Sequence, residues 1–154
     1  MTRSGGTDPI PALVDLWTTA TRAYLNGDLA GYAELVRHSD DYTLIPPNGG
    51  DPRHGFDRSP EAVEWTARTF LEGTTELEVF ATYSSGDLLV LVAVERQEAL
   101  AEPLPRQEWS MRVTLVFRRE GDIWRLVHRH ADPLTRPLDP QVFAGLARGD
   151  YAAT

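Results

Sequence analysis

The run Arg112-Val113-Thr114-Leu115-Val116-Phe117-Arg118-Arg119-Glu120-Gly121-Asp122-Ile123-Trp124-Arg125-Leu126-Val127-His128-Arg129-His130 decides the architecture. Both arms alternate with a period of two, the pattern of strands whose successive side chains point to opposite faces. Glu120-Gly121-Asp122 supplies the residue types of a hairpin turn between them. On the first arm Trp109, Met111, Val113, Leu115 and Phe117 share one face, and Ser110, Arg112, Thr114 and Val116 the other. On the second arm strict alternation puts Trp124, Leu126, His128 and His130 on one face, with Arg125, Val127 and Arg129 opposite.

Outward from this hairpin, the same period predicts strands over 75–83, 87–98, 107–118 and 123–131. Ser84-Ser85-Gly86-Asp87 reads as another tight turn, and Ala101–Arg106 joins the middle pair. Upstream the period lengthens. Leu13, Leu16, Trp17, Ala20 and Tyr24 recur at helical spacing and predict a helix from Pro11 to Asn26. Asp28 can cap a second helix that turns Leu29, Tyr32, Ala33 and Val36 inward. Tyr42–Ile45 reads as a short strand stopped by Pro46-Pro47, followed by a loop over Asn48–Asp57. Ser59-Pro60-Glu61 has the cap, proline and acid of a helix start, with Val63, Thr66, Ala67 and Phe70 as its apolar stripe. Asp139-Pro140 can begin a short last helix carrying Val142, Phe143 and Leu146. The expected class is α+β, with about three N-terminal helices on one face of a curved antiparallel sheet. Residues 1–9 read as a flexible leader, 10–135 as one domain and 136–154 as a tail.

Composition narrows the chemistry. The 154 residues include no cysteine, which excludes thiolate nucleophiles, disulfides and cysteine-bound metal. All 15 basic residues are arginine, so lysine Schiff-base chemistry is excluded too. A net charge of −8 repels phosphate backbones, and nucleic acid is not an expected partner. No apolar run has the length of a membrane span or the form of a signal peptide; the cytoplasm is the default location and no membrane partner is expected.

Two stretches carry a resemblance. Asn26-Gly27-Asp28-Leu29 with Asp40-Asp41-Tyr42-Thr43-Leu44, and more specifically the Arg112–His130 run, resemble the SnoaL-like branch of the nuclear transport factor 2-like superfamily. That superfamily includes ketosteroid isomerases, polyketide cyclases and the association domain of calcium/calmodulin-dependent kinase II. The resemblance implies a cone-like sheet whose concave face, under the helices, encloses a pocket. It does not bring a ready-made mechanism. The ketosteroid isomerase positions for base, oxyanion tyrosine and strand acid fall at or near Pro46, Ala20 and Thr114. The Arg-x-Asp pair of limonene-epoxide-hydrolase-like enzymes reads Arg112-Val113-Thr114, without the acid.

The resemblance places the Trp124 face of the last strand, and Arg112 with Thr114, toward the pocket. His130 is then the expected acid/base group, oriented by Asp132, with Arg112 holding developing negative charge. Trp17, Tyr24, Tyr42, Trp65, Glu95, Thr114 and His128 are the expected ligand contacts, and Glu95 or Asp41 the expected partner of Arg112. The loop Pro46–Arg58, with Arg53 and His54, is a candidate lid. The histidine pair gives two nitrogens where a metal site needs more, so no metal and no cofactor is expected. In that orientation the apolar Val113–Leu115–Phe117 face needs a cover, which implies a homodimer, sheet against sheet.

The expected function is a pocket for a small apolar or carbonyl-containing molecule. It is read first as a cofactor-free isomerase, cyclase or dehydratase acting on a polyketide-like or other carbonyl compound. A non-catalytic ligand-binding module and an assembly module are the alternatives.

Overall fold

The computed structural model describes residues 6–150, so the first five positions of the expected leader lie outside the described residues. Helix α1 (Ile10–Leu25) forms on the stripe read above and buries Leu13, Trp17, Ala20, Thr21 and Leu25. Burying each large side chain contributes about 1.5–3 kcal/mol. The Asp28 carboxylate caps α2 (Leu29–Leu35), accepting from the Gly31 N–H at 2.8 Å. Two glycines let the end of α1 lie close on the sheet. A Cβ at Gly27, where φ is +84°, would stand 2.7 Å from the Phe70 carbonyl oxygen, and one at Gly73 would stand 2.7 Å from the Leu25 Cβ. Asn26 fastens this junction by donating from Nδ2 to the Gly73 carbonyl at 3.1 Å.

Helix α3 (Pro60–Thr69) starts at the expected cap, the Ser59 hydroxyl accepting from the Ala62 N–H at 3.2 Å. Its expected stripe is not buried as a stripe. Thr66 is its buried residue, and Phe70 already belongs to the following strand. The helix packs mainly on α2 and the edge strand, so little of its surface meets the core.

The strands are β1 (His38–Ile45), β2 (Arg53–His54), β3 (Phe70–Ser85), β4 (Leu88–Ala101), β5 (Gln107–Glu108), β6 (Met111–Glu120) and β7 (Ile123–Pro133). They form one sheet in the order β2-β1-β7-β6-β4-β3, with β5 added to β4. Both predicted tight turns are present, as Gly86-Asp87 and Gly121-Asp122. One pairing departs from an antiparallel meander: β1 runs parallel to β7. The chain crosses through α3 from β1 to the far edge and meanders back, so β7 arrives beside β1 in the same direction.

Helices α1 and α2 cover the inner face. Leu13, Trp17, Ala20, Leu29 and Tyr32 pack there against Leu89, Leu91, Leu115, Phe117 and Leu126. On β4, Leu89, Leu91, Ala93, Glu95 and Gln97 are buried inward, while Val90, Val92 and Val94 alternate outward. On β6 the apolar Val113, Leu115 and Phe117 are therefore the core face, and Arg112, Thr114 and Val116 point outward. The chain covers its own apolar face; a second copy is not needed for that.

Strand β7 contains a bulge that strict alternation does not anticipate. Phe117 pairs with Leu126 and Val116 with His128, so Val127 is an extra residue between them. An added residue exchanges the two faces for everything beyond it. Trp124 and Leu126 stay on the inner side, but Arg129 and Ala131 follow them inward and His128, His130 and Asp132 turn outward. Helix α4 (Pro140–Ala147), capped by Asp139 on the Gln141 N–H at 2.9 Å, leaves Val142, Phe143 and Leu146 exposed.

Candidate functional site

Under the helices the inner face holds an ionic pair inside an aromatic enclosure. Glu95 on β4 has 0% of its surface exposed. Its Oε1 accepts from the Trp17 indole N–H, and its Oε2 from the Gln97 amide at 2.9 Å. Gln97 is steadied by Thr75, 3.3 Å from the same amide nitrogen. Arg129 on β7 lies beside this carboxylate, Nη2 to Oε2 3.6 Å, with its guanidinium carbon 5.9 Å from the centre of the Trp17 ring. A carboxylate this far from water persists because donors and a countercharge surround it. Burial works against the Arg129 charge; Glu95 and the surrounding tyrosines oppose that, and its pKa is raised.

Tyr24, Tyr32 and Tyr42 line the same region, all within electrostatic reach of Arg129. Burial raises the pKa of each, that of Tyr42 to about 12, so all three remain neutral hydroxyl groups at physiological pH. Tyr32 meets Trp17 edge-on at 6.0 Å and Tyr24 at 5.8 Å. Next to them His38 stacks flat on Phe56, centroids 3.9 Å apart. Its ring nitrogens are buried and unpartnered among the described residues. Burial, reinforced by Arg58, pushes its pKa down to about 4, so the ring is neutral near pH 7.

The residues predicted for the pocket divide between the faces. Trp17, Tyr24, Tyr42 and Glu95 do come together inside. Trp65, 48% exposed, stands outside against Phe70, because α3 is peripheral. Arg112, Thr114, His128, His130 and Asp132 lie on the outer face, a consequence of the bulge in β7 and of the inward apolar face of β6. The predicted trio is nevertheless assembled there. His130 Nε2 is 3.4 Å from Asp132 Oδ1, and Arg112 Nη2 is 3.5 Å from Asp132 Oδ2. Arg112, Thr114, His130 and Asp132 line an open groove of about 420 Å³ with Phe80 and Val92. His128 is engaged elsewhere, its Nδ1 2.8 Å from the Thr43 hydroxyl.

The predicted partners of Arg112 are also reassigned. Glu95 lies beside Arg129, while Asp41 forms a two-pronged bridge to Arg118 at 2.8 and 3.2 Å. Hydrogen bonds from Arg118 draw the Asp41 pKa down to about 2. The loop after β1 does meet the interior, but through Phe56; Arg53 and His54 are exposed on β2. Two central groups were missed. Arg129 was concealed by the bulge, whereas Phe56, an isolated aromatic in a polar loop, was a readable signal. Among the described residues no cluster of three metal-ligating side chains occurs, and no helix is long and apolar enough to cross a membrane.

A curved sheet with helices on its inner face and a polar pair beneath them defines the class as nuclear transport factor 2-like. The model of the SnoaL-like domain matches residues 10–134, and the chain belongs to that family. Solved structures share the fold at low sequence identity. A nuclear transport factor 2-like superfamily protein from Salmonella enterica serovar Typhimurium is 18% identical with a TM-score of 0.68, covering 85% of this chain and 94% of its own. The kinase II hub of S. rosetta is 19% identical with a TM-score of 0.59, covering 83% and 98%. A Streptomyces avermitilis family member for which dehydratase activity has been proposed is 20% identical with a TM-score of 0.59, covering 82% and 94%. Among curated proteins, no relative matches the sequence.

Proposed function

We propose that this chain is a small-molecule enzyme that moves a proton on a carbonyl compound without a cofactor, working inside the helix-covered face. The observation that carries this reading is the fully buried Glu95 carboxylate, enclosed by aromatic side chains with Arg129 beside it. In that role Glu95 takes the proton from the carbon next to the carbonyl. Arg129 and a tyrosine hydroxyl hold the charge that develops on oxygen. Return of the proton to another carbon gives isomerisation. Attack of the enolate carbon on an internal carbonyl, with the proton passed to the new alkoxide, gives ring closure; departure of a β-hydroxyl that takes the proton and leaves as water gives dehydration. The proposed activity of the Streptomyces avermitilis structure is compatible with this chemistry. The test is exchange of α-hydrogens for solvent deuterium, followed by NMR across a panel of cyclic and aromatic ketones. The protein should accelerate exchange for at least one ketone, and Glu95→Gln should lower that rate by about a hundredfold or more. No acceleration across the panel would end the enzyme reading.

A second reading, self-association through the outer face, has its own observation. Val90, Val92, Val94 and Val116 present an apolar strip beside Phe80, which is 84% exposed, and Tyr83. A strip of this kind on a sheet is well suited to pair with a second copy of itself. The hubs among the similar structures are consistent with that assembly. Light scattering should return the mass of a dimer, and Val116→Glu should return that of a monomer. A monomeric wild-type protein would exclude it.

A further inference from the structure

Arg129 has more hydrogen-bonding capacity than the protein uses. A guanidinium carries five N–H donors in a flat fork matched to a carboxylate. Its nearest acid, Glu95, stands at 3.6 Å, beyond hydrogen-bond reach, and the Arg129 Nε is buried with no partner among the described residues. Glu95 does not depend on that fork, since its two oxygens already accept from Trp17 and Gln97. The Arg129 side chain is 16% exposed, so solvent reaches part of it although the Nε is sealed. Trp17 offers an aromatic surface 5.9 Å away, with Tyr24 and Tyr42 close by.

We infer that Arg129 is the recognition point for a small organic anion, a carboxylate or enolate carried on an apolar or aromatic body and bound against Trp17 and the tyrosines. This rests on the pocket reading above and adds the charge of the ligand to it. The fork of Arg129 closes on the anionic oxygens and gives the orphaned Nε its acceptor. The body of the ligand lies along the aromatic walls. The outer groove, with Arg112 open to water and already beside Asp132, has no such unmet demand.

The experiment follows the Arg129 Nε–H and Trp17 Nε1–H resonances by NMR during titration. The probes are benzoate and butyrate, each compared with its uncharged amide, benzamide and butyramide. At least one carboxylate should saturate, move the Arg129 Nε–H signal downfield, and bind about tenfold or more tightly than its amide. The double variant Arg129→Leu/Glu95→Gln, which strands no buried charge, should lose that preference, whereas Arg112→Leu should keep it. Wild-type protein that treats both carboxylates and both amides alike overturns the proposal. So does a preference that survives in the double variant or vanishes with Arg112→Leu. Carboxylate binding without deuterium exchange in any ketone leaves this site standing and removes the enzyme reading; exchange without carboxylate preference does the reverse.

Discussion

Arg112 and Arg129 lie on adjacent strands and stand almost equally far from a carboxylate, 3.5 Å from Asp132 and 3.6 Å from Glu95. Their surroundings differ completely. The outer side chains are 59% and 47% exposed, the inner ones 16% and 1%. Distance alone would rank the two pairs as equals. Solvent decides otherwise: water screens the outer pair and competes for its hydrogen bonds, while the inner pair has only the protein to answer its charges. The outer pair is an adjustable surface contact, and the inner pair is a constraint on the core.

The largest expected effect tests that contrast directly. Arg129→Leu leaves Glu95 buried without its countercharge and should cost about 3–5 kcal/mol in urea unfolding at pH 7. Arg112→Leu should stay within about 0.5 kcal/mol of wild type. Equal losses at the two positions would break the comparison. Adding Glu95→Leu to Arg129→Leu should recover much of the inner loss, because the stranded charge is then gone.

A middle-sized effect comes from His38, also on the inner side. Its folded pKa of about 4 lies below the ordinary 6.5, so between those values the unfolded chain binds more protons. Stability should therefore fall as pH drops through this window, by about 2 kcal/mol after allowance for partial exposure. His38→Phe should remove that part of the slope; an unchanged pH profile would mean that the ring is not shielded. The smallest effect belongs to the outer Asp41–Arg118 bridge. With the Asp41 pKa drawn from 3.8 to about 2, any stabilisation it gives is present above 3.8 and disappears as pH falls through 2. Asp41→Asn should leave the urea midpoint at pH 7 unchanged, since this carboxylate sits in water.

Much of the fold was legible because local chemistry and burial agree. The stripe of α1, the caps Asp28 and Ser59, and the turns at Gly86 and Gly121 each express one physical requirement in one short segment. The inner site was legible only in part. Trp17, Tyr24 and Tyr42 were named as aromatic walls of the pocket that the resemblance implies, and Glu95 as an internal partner for Arg112. The face of Arg112 was misread because the resemblance took precedence over a simpler rule, that the apolar side of β6 is the core side; those of His128 and His130 were misread because strict alternation passes over the bulge at Val127. Arg129 could not be reached by either route. Nothing in Leu126-Val127-His128-Arg129 marks an extra residue, since a bulge is fixed by pairing with the neighbouring strand.

That single unpaired residue, Val127, gives the sheet a lever that ordinary substitution lacks. Removing it would join Leu126 directly to His128 and leave every later side chain of β7 on its present face, with the ladder unbroken. Drawing it into the ladder as an ordinary paired residue would do the opposite and turn each later side chain over. The imidazoles of His128 and His130 would then be delivered beneath the helices, and the guanidinium of Arg129 to the surface. Whether one residue is paired or skipped thus separates two chemically different interiors on an otherwise identical scaffold. Descent within such a fold can change what the interior does by creating or erasing a bulge, without first inventing a new catalytic side chain.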